Sequence, residues 1–345
     1  MKNSSLLVEY KKVANKLLGL SLNFLTAMIV GACVVITTAM LVRILYTRIR
    51  ASILTAPPAR RIAVLFGLAV APLAAGSVLA LLTGISSFDY IADFIKHHCH
   101  VANLENACLP HVQLQLAPLV EFLAILIAMG LTVALLATPL RHVAEWDRIK
   151  KFLCAAGRYS EKFDAHLIDD DRPLALCAGV LNPMVFISKG LMRHLTLEEI
   201  RIVLAHEQAH ARRLDGLLQA VARCLLVWHL PSMKRLLLND LALAIEQACD
   251  DEAARRTTGR LAVAETILKV ERLHHQQWEY LSSVNAIVGS SVTARIEYLL
   301  HESAPFERKW MTKLIIHAAI YAAALIVSAE PFHHIIETVT LSLIG

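Results

Sequence analysis

Charge is scarce in this chain. Asp, Glu, Lys and Arg make up 18% of its 345 residues, and the runs 17–42 and 62–88 contain none of them. A soluble helix keeps one face polar, so uninterrupted apolar runs of this length exclude an ordinary soluble domain and call for a bilayer. The first run is long for a removable signal peptide and poor in a small-residue cleavage site, so it reads as an anchor. Internal repeats and low-complexity tracts are absent as well, so no repeat array organises the chain. The formal net charge of +5 suits basic faces near anionic lipid and gives no reason to invoke direct nucleic-acid binding.

Apolar surface is abundant. Hydrophobic residues form 56% of the sequence and the mean hydropathy is +0.53, which predicts a mainly α, multi-span membrane protein. Three spans fall at about 17–46, 62–84 and 118–140, and a fourth begins at Leu314 within a last segment, 314–345. Arg43, Arg48, Arg50, Arg60 and Arg61 gather between the first two spans, whereas the 85–116 loop has Lys96 as its only Lys or Arg. Positive charge stays on the cytoplasmic side. That rule places 85–116 in the periplasm and segment 141–313 in the cytoplasm, at a bacterial inner membrane, with both termini outside. In the oxidising compartment Cys99 and Cys108 would close a short disulfide loop; the histidines around them, His97, His98, His100 and His111, leave a metal-sensing cluster as the alternative. Cys33, Cys154, Cys177, Cys224 and Cys249 read as small hydrophobes.

Segment 141–313 is long enough for a core of its own and reads as an α+β domain in which helices dominate. The apolar runs Ala165–Ile168 and Val185–Ser188, bounded by Asp169-Asp170-Asp171, Pro183 and Gly190, predict one or two short strands. The second reads equally as a plain core strand or as an exposed edge, which would pair an extended peptide. Thr196-Leu197-Glu198-Glu199 is a capping box, and Leu197, Ile200, Val203 and Leu204 continue it at helical spacing. On that helix His206-Glu207-Gln208-Ala209-His210 puts two imidazoles four residues apart on one face with a carboxylate beside them, the ligand pair and base of a metallohydrolase. Glu246 and Asp250, four apart on a helix running from near Asp240 to about Gly259, supply a third ligand and a carboxylate behind it. Catalytic zinc uses three protein ligands and keeps one position open. Asp215, near the end of the first helix, either orients an imidazole or pairs with Arg212 or Arg213; the competing partner for Asp250 is Arg255 or Arg256. Residues 216–230 predict a buried or surface-lying helix that ends before Pro231. Leu261–Leu281 and Ser291–Leu300 predict amphipathic helices, with His274 and His275 at the surface.

These residues resemble a known family. His206-Glu207-Gln208-Ala209-His210 with Asp215, then Glu246-Gln247-Ala248-Cys249-Asp250-Asp251-Glu252, and upstream Gly179-Val180-Leu181-Asn182-Pro183-Met184-Val185-Phe186-Ile187-Ser188, resemble the BlaR/MecR family of bacterial membrane metallopeptidases, which are gluzincins. The resemblance extends over about residues 140–330. It implies a gluzincin fold, Zn2+ held by His206, His210 and Glu246, Glu207 as the general base, and Asp250 behind the ligands. The best-known members carry an extracellular penicillin-binding sensor after the last membrane helix; residues 314–345 do not contain one, which leaves a separate sensor protein as a candidate partner. The implied activity is a signal-regulated endopeptidase that cleaves a cytoplasmic repressor, of winged-helix type, or the chain itself. A quality-control peptidase resembling the HtpX type shares the ligand pattern and is the alternative enzyme. A receptor or scaffold with structural zinc is the alternative outside catalysis, and Glu207 argues against it, because a structural site needs no base.

Overall fold

The computed structural model describes residues 30–85, 118–278 and 285–301, with scattered helical positions within 312–327. Cys99 and Cys108, their loop and most of 314–345 lie outside the described residues. The chain divides into two units: one takes Met1–Ile44, Val70–Ala134 and Arg308–Gly345, the other Leu45–Ala69 and Leu135–Glu307.

In the first unit lie the greater part of helix α1 (Val30–Leu54), most of α2 (Pro58–Ile85) and the start of α3 (Pro118–Ala156). The first two are long and apolar enough to cross a membrane. They meet at Val30, Val34 and Leu79. A Cβ on Gly76 would stand 2.7 Å from the carbonyl oxygen of Gly31, so only glycine allows the two backbones this approach. Nearby, the Thr38 and Tyr321 hydroxyls are hydrogen-bonded at 2.6 Å.

The connection between these helices differs from the open basic loop expected. No helix breaker precedes Pro57-Pro58, so α1 continues to Leu54 and only residues 55–57 separate it from α2. Arg43, Arg48 and Arg50 therefore sit on α1, and Arg60 and Arg61 on the first turn of α2. Likewise α3 passes Arg141 unbroken and joins the third apolar run to the basic stretch behind it.

The second unit is α+β. Its sheet holds β1 (Gly157–Ser160), β2 (Ala165–Ile168), β3 (Ala175–Ala178) and β4 (Met184–Ser188) in the order β1-β2-β4-β3. Two of these strands, β1 and β3, were not foreseen, because the segments Gly-Arg-Tyr-Ser and Ala-Leu-Cys-Ala lack the branched apolar run that marks β4. β4 pairs with β2 in parallel and with β3 antiparallel. It is an interior strand, which favours the core reading over the edge; the edges of this sheet are β1 and β3.

Helices follow: α4 (Lys189–His194), α5 (Leu197–Arg213), α6 (Asp215–Leu225), a 3-10 turn (Leu226–Trp228), α7 (Pro231–Arg256), α8 (Arg260–Trp278) and α9 (Asn285–Leu300). The capping box forms as expected: the Glu199 amide donates to Thr196 Oγ1 at 3.3 Å and the Thr196 amide to Glu199 Oε2 at 2.7 Å. α5 is buried on two sides. Ile200, Val203 and Leu204 pack with Val185 and Ile187 of the sheet, while Ile202 and Ala205 pack with Ala253, Val263 and Leu299 of the later helices. A helix gripped in this way holds its polar residues in fixed positions. α7 begins at Pro231, at the first helical position where its missing N–H costs nothing, earlier than the start near Asp240 expected.

Candidate metal centre

Three donor atoms converge between α5 and α7. His206 Nε2 and His210 Nε2 are 3.2 Å apart, and the Glu246 carboxylate stands 3.4 Å from the first and 3.6 Å from the second. Atoms bound tetrahedrally to zinc at about 2.0–2.1 Å are separated by roughly 3.3 Å. The observed triangle fits that spacing, so His206, His210 and Glu246 form a group able to hold a metal ion.

The far side of each imidazole is held. His206 Nδ1 is 2.9 Å from Asp250 Oδ1, and His210 Nδ1 is 2.9 Å from Asp215 Oδ2. A carboxylate on Nδ1 fixes the tautomer, leaving Nε2 to face a metal. Asp215 reaches His210 because Leu214, in the left-handed conformation (φ 54°), turns the chain abruptly. Asp215 thus opens α6 rather than closing the preceding helix as expected. Its second oxygen faces Arg213 Nε at 3.3 Å, an ion pair without hydrogen-bond alignment, so the two roles weighed for Asp215 coexist. Asp250 pairs with neither Arg255 nor Arg256, both of which go to Glu252.

The cation that meets Asp250 is Arg295 of α9, which sequence reasoning missed. Arg295 donates to Asp250 at 2.8 and 2.6 Å and stands 3.0 Å from Glu246. Its one sequence signal is being the sole charged residue between 285 and 296. Burial opposes charge on His206, but hydrogen bonding to Asp250 and Glu246 outweighs it and raises the imidazole pKa to about 10. Burial likewise opposes ionisation of Glu246 and Asp250, yet His206 and Arg295 hold both carboxyls below their usual range. A cation entering at Nε2 therefore competes with a proton for His206.

Cys249 forms a second candidate group with His210 and Asp215. Its sulfur is 3.4 Å from each, and burial, reinforced by the Asp215 charge, pushes the thiol up. A cavity of about 490 Å³ opens over the three-donor group on the Nε2 side, and Cys177, Val180, Glu207, Gln219 and Arg295 help to line it. Cys249 is fully buried and does not line that cavity, whereas His206, His210 and Glu246 all do, so the group on the Nε2 side is the one open to a substrate.

A family model described as BlaR1 peptidase M56 matches residues 113–299, more than half of the chain. The chain belongs to this family. The two-helix site lies inside the matched region, and M56 membership makes the protein a member of a metallopeptidase family. No solved structure matches the chain.

Proposed function

We propose that this M56 protein is a membrane-embedded, zinc-dependent endopeptidase, signal-regulated, that cleaves a cytoplasmic repressor or itself. The observation that carries it is the convergence of His206, His210 and Glu246 with Glu207 lining the same cavity. Zinc, when bound there, supplies a Lewis acid and lowers the pKa of water toward neutrality. Glu207 accepts the proton of the attacking water and passes it to the leaving amine. Asp250 and Asp215 keep the imidazoles aimed. Cys177, pushed up to about 12 by burial and by the charges of Glu207 and Asp215, stays a thiol and does not compete as a nucleophile.

Among the described residues β3 pairs on one side only, with β4, and its Ala175, Leu176 and Cys177 line the cavity. Its free edge offers main-chain hydrogen bonds to an extended peptide laid beside the metal. The arginines of α1 and α2 support a cytoplasmic placement of this domain.

Glu207→Gln tests the proposal. The amide is close in shape but cannot take a proton, so zinc content should match wild type while proteolysis falls about a hundredfold to ten-thousandfold. Identical fragment patterns in cells expressing wild type and the variant would refute catalysis and favour a structural zinc in a receptor.

A further inference from the structure

Helix α7 touches the α1–α2 elbow along one stripe. Asp240 and Gln247, seven residues and nearly two full turns apart, lie on the same face, and both are almost wholly buried, at 4% and 3% exposure. Asp240 accepts from Tyr46 at 2.5 Å and from Arg50 at 2.6 and 2.7 Å. Gln247 accepts from Arg61 of α2 and donates to the Ala294 carbonyl of α9 at 2.9 Å. A single amide thus ties α2 to α7 and α9. Its neighbours in sequence are the residues that meet in the metal centre: Glu246 precedes Gln247, Arg295 follows Ala294, and the two are 3.0 Å apart.

Arg61 is an expensive residue to keep for stability alone. It is 2% exposed, it forms no ion pair among the described residues, and its Nε has no hydrogen-bond partner. Among the described residues its other neighbour, besides Gln247, is the Tyr298 ring, 5.8 Å from the guanidinium carbon. Asp240 and Asp251 act on it only at longer range, and a buried charge that no carboxylate contacts is destabilising relative to an apolar side chain of similar volume. Asp240, by contrast, is fully paired and serves as an ordinary anchor.

We infer that Arg61 is a positioning residue for the metal centre: through Gln247 it sets the register of α7 against α9, and so the placement of Glu246 relative to Arg295 and the two histidines. Arg61 touches neither metal nor substrate and acts only through the Gln247 amide. Loosening the elbow would relax Glu246 without unfolding the domain. This rests on the zinc assignment to His206, His210 and Glu246.

The test uses the full chain in detergent micelles and measures Zn2+ affinity by chelator competition, the visible spectrum of the Co2+-loaded protein, and the melting midpoint of the metal-free protein. Arg61→Met should weaken Zn2+ binding about tenfold, the low end of losses seen when groups behind a ligand are removed. It should also alter the Co2+ spectrum with little change in the metal-free midpoint, because losing the buried charge offsets the unsatisfied Gln247 oxygen. Arg61→Lys, which can still donate to Gln247, should recover most of the affinity, and Gln247→Met should reproduce the loss. Affinity within twofold of wild type and an unchanged spectrum in both Arg61→Met and Gln247→Met would overturn the inference. So would an affinity loss that tracks a fallen midpoint and is not rescued by lysine, since Arg61 would then be structural. A wild-type protein that takes up neither ion would refute the zinc assignment itself, and this inference with it.

Discussion

Asp250→Asn changes one charge and almost no volume, at the point where the metal centre depends most on buried electrostatics. The carboxylate is fully buried; it accepts two hydrogen bonds from Arg295 and stands 2.9 Å from His206 Nδ1. An amide must turn its NH2 group toward one of those donors. Breaking a buried ion pair by removing one partner costs about 3–5 kcal/mol. Glu246, 3.0 Å from Arg295, still balances the guanidinium, so a loss of about 3 kcal/mol in the metal-free protein is expected. Zinc affinity should fall as well. Losing the group that orients a ligating imidazole costs about 10–100-fold, or about 1.4–2.7 kcal/mol. Chelator competition on solubilised wild type and variant measures the affinity, and denaturant melts of the metal-free forms measure stability. Zinc affinity within twofold of wild type would refute the orienting role and leave Asp250 as a counter-ion for Arg295 alone.

Cys249→Ala should leave zinc at about one per chain, as expected of a catalytic three-donor site; metal analysis showing loss of the ion would transfer the site to the His210, Asp215 and Cys249 group. Gly190→Ala places a Cβ 2.1 Å from the Asp171 carbonyl oxygen, and the forced backbone shift should cost about 2–3 kcal/mol in a thermal or denaturant melt. Thr196→Ala removes the α5 cap and should cost about 1 kcal/mol by the same measurement. For Glu199, burial raises the pKa, but the hydrogen bonds from Lys269 and Thr196 outweigh it and hold the carboxyl below its usual range. Its stabilising contribution is therefore present above the unfolded-chain pKa of about 4.3 and is lost as pH falls through the folded value. Glu199→Gln should accordingly be less stable than wild type at pH 7 by about 0.5 kcal/mol, the partly exposed Lys269 pair being screened, and the gap should close in acid. A gap that widens below pH 4 would contradict the sign.

Much of the local chemistry was legible from residue order. A helix repeats every 3.6 residues, so His206 and His210, and Glu246 and Asp250, had to share faces once their helices formed. The capping box announced where α5 starts, and β2 and β4 appeared as short apolar runs between breakers. Other features carried no such mark. Arg295 lies 45 residues beyond Asp250 on a helix whose packing angle no local pattern specifies. β3 rather than β4 stands at an edge because β4 is inserted between β2 and β3, a matter of strand order rather than composition.

The sequence alone therefore determined which residues could bind a metal and which runs were apolar enough for a bilayer, since both follow from spacing within a single helix or run. Only the tertiary structure decided what stands behind those ligands. Leu214 turned Asp215 back onto His210, α9 brought Arg295 to Asp250 and Glu246, and the α1–α2 elbow brought Arg61 to Gln247. These contacts join residues that lie on different elements, and burial selects them: a charge or amide shut away from water must find its partner wherever the fold supplies one.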